Sequence, residues 1–411
     1  MPLFSIPLSG LTASSTALSA ISNNLANLNT VGYKSSRATF RDLFYQNVGS
    51  SGAGNPVQMG AGAAVGGIST NFTGGNVEST GVSTDVAIMG EGYFVLEKDG
   101  GYQFTRAGNF HVGPDGLLMS EEGQLVMGYP AVNGVVGQEL GPLQVGKGQT
   151  SPPTATTELH MRTNLNGSAN VPVGTKFNSP VMVYDSLGAS HVLTFEFTKS
   201  AANEWDYDIK LPASETGGSG DPSIVGSGTL TFDENGQLES PATNVTFGVA
   251  GLANGAADMS LTWRLFDSAS SGLITQVGAP SNTGSTGQNG FGSGTLKDFS
   301  INADGMIQGT FTNGKTRVLG QLVLANFANQ QGLMREGHNN FSATLSSGAY
   351  VIGAPGTGGR GAVAGGALEL SNVDIAREFT QLILAQRGFQ ANARAITTFD
   401  EITQETINLK R

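Results

Sequence analysis

The chain has 411 residues, 60 of them glycine, and only 13% are charged, about half the share in an ordinary globular protein. Its 21 Lys and Arg stand against 32 Asp and Glu for a net charge of −11, and there is no cysteine. This excludes a basic track for nucleic acid, and also a disulfide framework, Cys-ligated metals and thiol chemistry.

The length allows two to four domains. No apolar run is long enough for a transmembrane helix. Residues 1–33 contain no charged residue; the first is Lys34. A cleaved secretory signal needs a positive start and an unbroken apolar stretch. Here Ser, Thr and Asn interrupt every apolar run. Any export is therefore expected to use a route without a cleaved signal.

The first element is an amphipathic helix. Leu11, Leu18 and Leu25 recur every seven residues, and Ile21 and Leu28 fall three after the second and third. That is the a/d seam of a coiled coil. Pro7 suits the helix start, and Asn29 and Gly32 supply a stop near 28–31. Ser, Thr and Asn are poor helix formers, and a lone helix of such composition is marginal in water. The seam therefore calls for a partner. Asn29, Gly32 and Tyr33 mark the turn into an elbow over residues 34–70.

The middle of the chain reads as β structure. Leu193, Phe195 and Phe197 alternate with Thr194, Glu196 and Thr198. Trp205, Tyr207, Ile209 and Leu211 alternate with Asp206, Asp208 and Lys210, and Met259, Leu261, Trp263 and Leu265 with Ser260, Thr262 and Arg264. Period two with one apolar face predicts half-buried antiparallel strands. Turns are expected at Asp115-Gly116, Glu122-Gly123, Asn235-Gly236, Asp304-Gly305 and Asn313-Gly314. Stretches rich in Gly, Ser, Ala or Pro at 49–67, 146–157, 267–294 and 347–367 read as linkers. They divide the middle into a β domain of 71–145 and 286–371, with an outer β domain of 146–285 inserted into it.

The C-terminal segment is again helical. Ile375, Leu382, Phe389 and Ile396 recur every seven residues, and Phe399 follows three later. Residues 372–411 carry five positive and five negative charges, so the whole −11 lies in 34–371. The expected fold is mainly β with α-helical termini. Its two end segments, 1–33 and 372–411, pair as a coiled coil and with copies of themselves.

Catalytic constellations are scarce. His111, His160, His191 and His338 are scattered without a metal-ligand spacing. Gly356-Thr357-Gly358-Gly359-Arg360-Gly361 lacks the Lys and Ser/Thr of a phosphate loop. Asp233-Glu234-Asn235-Gly236 lacks the ligands of an EF-hand and reads as a hairpin turn. No catalytic, cofactor or metal residue is assigned, and no enzymatic role is expected.

Four blocks carry a resemblance. Asn24-Leu25-Ala26-Asn27-Leu28-Asn29-Thr30-Val31-Gly32-Tyr33-Lys34 is similar to an "NxANxNTxGYK" motif of bacterial flagellar rod and hook axial proteins. Asp85–Phe94, Phe104–Phe110, and Leu370–Asp374 with Gln386–Ala393 follow in the family's order. Pro180–Gly188 resembles the inserted domain of the hook members, and the length matches them. The resemblance implies a non-enzymatic subunit of a short, curved, hollow extracellular tube that joins rod to filament as a universal joint. It implies many copies as partners, with the rod at the base, a cap during assembly, the hook–filament junction proteins and the flagellar type III export apparatus. Leu11, Leu18, Ile21, Leu25 and Leu28 are then expected to form one assembly seam, with Ile375, Leu382, Phe389, Ile396 and Phe399 as its partner. A distal rod-type axial protein is the nearest alternative. A secreted β-domain enzyme or adhesin would leave both heptad ends unexplained.

Overall fold

The computed structural model describes residues 5–44, 46–52, 54–146 and 148–409. It divides into two compact units, residues 1–147, 298–309 and 316–411 in one, and 148–297 and 310–315 in the other. No helix among the described residues is long and apolar enough to cross a membrane.

The first unit carries both long helices. Helix α1 spans Ser5–Ala26 and helix α2 spans Ile375–Asn408, and the two pack together. α1 is rich in hydroxyl residues, which it turns back on its own backbone. Thr12 Oγ1 donates to the Leu8 carbonyl, Thr16 to Thr12 and Ser19 to Ser15, each at 3.0 Å. These bonds satisfy the hydroxyls without a partner outside the helix. α2 opens on Asp374, whose carboxylate caps the Arg377 N–H at 3.1 Å. Between α1 and the β structure, Ser36–Asp42 and Ala63–Thr70 form an antiparallel ribbon, and both strands touch α1.

The sheet of this unit centres on Tyr93–Lys98. Gly101–Thr105, Leu125–Val132 and Leu324–Asn326 pair with it antiparallel. Tyr93, Phe94, Val95 and Leu96 are all fully buried, so this strand is covered on both faces. Tyr93, Phe104, Phe327 and Phe341 build an aromatic core beside it, with ring centroids 4.8–5.7 Å apart.

The second unit is a sandwich. Lys176–Tyr184, Ser190–Ala201, Glu204–Leu211, Ser223–Phe232 and Leu238–Ser240 form one meandering sheet in chain order. Val245–Val249, Met259–Arg264, Glu158–Asn166 and Ile274–Val277 lie in that order in the other, with Asn282–Gln288 also beside Glu158–Asn166. The inner faces share one core. Trp263 of the second sheet lies 4.9 Å from Phe195 and 5.1 Å from Tyr207 of the first, centroid to centroid.

Two expectations need correction. The alternating strands are not all antiparallel: Glu158–Asn166 runs parallel to both Met259–Arg264 and Ile274–Val277. Alternation reports which face is buried, whereas direction is set by the connections, and a long excursion through the other sheet separates these strands. The stretches read as linkers also contain strand. Ile274–Val277 and Asn282–Gln288 fall within 267–294, Pro56–Met59 within 49–67, Thr150–Ser151 within 146–157, and Val351–Gly353 and Ala362–Gly365 within 347–367. Asn282–Gln288 and Pro56–Met59 expose much of their length, so backbone pairing holds them without apolar alternation. The turn residues behave as expected: Gly116, Gly123, Gly236, Gly305 and Gly314 all adopt positive φ.

Candidate assembly interface

Helices α1 and α2 run antiparallel. Gly10 faces Asn392 and Ser14 faces Gly388, so one helix ascends four residues as the other descends four. A Cβ placed on Gly10 would lie 2.7 Å from the Asn392 amide nitrogen, and one on Gly388 would lie 3.3 Å from Ser14 Oγ. Small residues therefore set the closeness of the crossing.

The ten seam residues are shielded unequally. Ile21 is buried. Leu11, Leu18, Leu25, Leu28, Leu382, Phe389, Ile396 and Phe399 are half-buried, and Ile375 is exposed. Leu28 lies beyond the end of α1, in the turn that follows. Ile6, Leu8, Phe379, Ile383, Leu384, Ile402, Ile407 and Leu409 are exposed as well. The pair thus leaves apolar surface on its outer sides.

At the foot of the helices the chain is clamped. Asn24 is 99% buried and reads the backbone ahead of it: its Oδ1 accepts from the Ser36 N–H at 2.9 Å and its Nδ2 donates to the Ser36 carbonyl at 2.8 Å. Tyr33 Oη donates to the same Oδ1 at 3.3 Å. Gly32 holds φ +69°, and its N–H donates to the Glu369 carbonyl at 2.7 Å. A Cβ there would fall 2.6 Å from the Arg106 carbonyl carbon, so only glycine fits. Asn29 is exposed and lines a polar cleft of about 400 Å³ with Asn27, Thr30, Glu122 and His338.

The clamp closes on one carboxylate. Glu369 is fully buried and its Oε1 pairs with Lys34 Nζ, while its Oε2 lies 3.3 Å from Arg106 Nη1. The Gly75 N–H also donates to Oε1 at 2.8 Å, and Lys34 Nζ donates to the Thr73 carbonyl at 2.9 Å. Burial pulls the Lys34 ammonium below the usual lysine range, against the attraction of Glu369. Burial also pushes the nearby Tyr93 hydroxyl well above its ordinary value, and the Arg106 guanidinium lies 5.3 Å from the Tyr93 ring centroid. Arg335 donates to the Lys34 carbonyl at 2.6 Å and stacks over Tyr33. Asn372 accepts from the Ser35 N–H and donates to the carbonyls of Asn71 and Thr73. Lys34 follows α1 and Glu369 precedes α2, so both helix roots meet in this cluster.

Of these groups the sequence motifs contain Asn24, Gly32, Tyr33, Lys34, Arg106 and Asn372. They omit Glu369, which joins them. The available signal was Ala367-Leu368-Glu369-Leu370: alternation puts Glu369 on the same inward face as Ala367, and a buried acid requires a basic partner.

Comparison with known proteins decides the family. Residues 6–34 match the model "Flagella basal body rod protein", and 87–163 match "Flagellar hook protein FlgE/F/G D1 domain". Residues 131–291 match "Flagellar basal body protein FlaE D2 domain", and 364–409 match "Flagellar basal body rod FlgEFG protein C-terminal". The flagellar hook protein FlgE of Salmonella typhimurium is 37% identical, with 99% of this chain and 100% of that one covered. That of Escherichia coli is 36% identical at the same coverage. The chain belongs to the flagellar hook protein family. It is a structural subunit of the bacterial flagellar hook, and its family supports polymerisation there and association with the rod. A solved structure, the Helicobacter pylori flagellar hook protein FlgE2, covers 70% of this chain and 98% of that one at TM-score 0.45 and 16% identity.

Proposed function

We propose that the α1/α2 pair is the element through which hook subunits polymerise, and that the clamp around Glu369 holds the pair at its root. In this role Leu11, Leu18, Ile21, Leu25 and Leu28 form one side of the assembly seam, and Ile375, Leu382, Phe389, Ile396 and Phe399 the other. Asn29, Gly32 and Tyr33 form the elbow. Many copies close into a curved hollow tube whose inner wall is built from the helices, and which carries torque around a bend. Segments 1–33 and 372–411 belong to that wall, 34–70 to the elbow, 71–145 with 286–371 to the flanking β domain, and 146–285 to the outer one.

The observation that carries this is the half-finished burial of both helices. Leu11, Leu18, Leu25, Leu382, Phe389 and Ile396 are only half-covered, and Phe379, Ile383 and Leu384 are exposed. Residues 1–33 carry no charge, so many copies pack without summed repulsion. Export through the flagellar type III channel without a cleaved signal, a cap during growth, and the junction proteins at the far end complete the proposed set of partners and the extracellular location.

The test is electron microscopy of the purified full-length chain beside Leu25→Asp and Phe389→Asp. Curved hollow tubes are expected from the full-length chain and none from either variant, with the near-ultraviolet circular dichroism of the β units unchanged. Straight tubes would favour the distal rod alternative. Normal tubes from either variant would overturn the seam assignment.

A further inference from the structure

Along α2, Arg387, Arg394, Glu401 and Glu405 are all exposed, and among the described residues none has an ion-pair partner. At 3.6 residues per turn they fall within about 40° of one another. They also sit about 135° round the helix from Gly388 and Asn392, the residues that meet α1. The charges form one stripe, positive first and negative after it, turned away from the intrachain partner. α1 contains no charge that could answer it.

The stripe does not neutralise itself. Arg394 and Glu401 are seven residues apart, about 10 Å along the axis, beyond ion-pair reach. Glu401 and Glu405 are spaced i, i+4, where like charges repel and weaken a lone helix. The sign order is nevertheless self-complementary: a second, parallel copy of α2 displaced along the axis sets its negative end against the positive middle of the first. Subunits joined by one repeated head-to-tail contact all point the same way. The midpoints of the two charge pairs are separated by twelve to thirteen residues, about 19 Å.

We propose that this stripe sets the axial register between neighbouring hook subunits: Arg387 and Arg394 of one copy lie against Glu401 and Glu405 of the next, at a stagger of about 19 Å. The inference rests on polymerisation through the helix pair. It adds which face of α2 meets a second copy, in which orientation and at what offset.

Charge swapping tests it. Arg387→Glu with Arg394→Glu makes the stripe wholly acidic, and Glu401→Arg with Glu405→Arg makes it wholly basic. Each double variant alone is expected to raise the critical concentration for tube formation about tenfold or more. An equimolar mixture of the two restores assembly to near the wild-type value, because every contact again joins opposite signs. The chain carrying all four changes assembles alone. Near-ultraviolet circular dichroism of the β units in each monomer checks folding. If either double variant polymerises like wild type, or the mixture fails while both partners are folded, the register is wrong. Leu25→Asp run in parallel separates the two claims: its failure to assemble beside normal assembly of the charge variants removes the register and leaves polymerisation through the pair standing. Tubes from Leu25→Asp, or none from the unaltered chain, overturn both.

Discussion

In the sandwich unit, Phe195, Trp205, Leu261 and Trp263 are fully buried by the chain's own two sheets. Along α1 and α2, only Ile21 among the seam residues is buried, and Phe379, Ile383, Leu384 and Ile402 remain at least half exposed. Both regions follow apolar periodicity in the sequence. They differ in how far one copy completes the burial. The sandwich closes its core with two sheets from one chain, whereas two helices offer each other one stripe apiece and leave the remaining apolar positions uncovered. An element that finishes burial by itself folds as a monomer. Under the proposed assembly, one that stops halfway draws its last stabilisation from neighbours, and its order depends on subunit concentration.

The strongest way to break this comparison is to open the sandwich core. Trp263 touches rings from the opposite sheet, and Trp263→Ala is expected to cost about 4 kcal/mol. Calorimetry should show the transition of the 148–297 unit lowered by about 10 °C. The far-ultraviolet helix signal and tube formation at low temperature should persist. Loss of assembly well below that transition would show that the two regions are not separable in the way their burial indicates.

A smaller effect is expected at the clamp. Glu369→Gln removes the buried negative charge shared by Lys34 and Arg106 and leaves two cations without compensation, at a cost of about 3 kcal/mol. Hydrogen exchange should report faster opening over residues 31–36 and 367–373, with protection of the sandwich strands unchanged. Unaltered exchange at Gly32 and Ser35 would mean that the backbone bonds, rather than the carboxylate, hold the helix roots.

Much of this was legible in the sequence, for identifiable reasons. The helix pair follows from a seven-residue apolar repeat at both ends, a pattern that states its own partner. The sandwich strands follow from period-two alternation such as Trp205 to Leu211. What escaped were features in which pairing and polarity replace apolar pattern. Asn282–Gln288 is a strand held by its backbone, with few apolar side chains to announce it. Glu369 joins residues 34 and 106, and no local spacing links positions 263 and more residues apart. His191 stands in the sequence without a metal-ligand spacing, yet it bridges two acids.

That histidine gives the mildest and most specific probe of the sandwich. His191 is nearly buried, with Nε2 2.9 Å from Asp185 Oδ2 and Nδ1 2.8 Å from Glu215 Oε2. With a carboxylate at each ring nitrogen, both nitrogens donate and the ring is charged. Burial lowers its pKa, but hydrogen bonds and attraction from Asp185 and Glu215 outweigh it and raise the pKa above the ordinary 6.5. Burial likewise pushes Asp185 up. Hydrogen bonds from His191, Asn254 and the Ala189 and Leu187 backbone N–H groups outweigh that and bring it from 3.8 to about 2. The sign follows from proton linkage. The histidine's contribution is complete below 6.5 and disappears as pH rises through its raised folded value. The aspartate's contribution is complete above 3.8 and disappears as pH falls toward about 2. The cluster therefore stabilises the unit fully only between these limits. His191→Gln, which keeps a donor but no charge, is expected to lower the melting temperature of the sandwich most near pH 6 and least near pH 9. The α1/α2 pair, which contains no histidine, should show no matching change. A melting difference that stays constant from pH 6 to 9 would mean the ring is neutral, and that packing rather than charge holds the 185–191 turn.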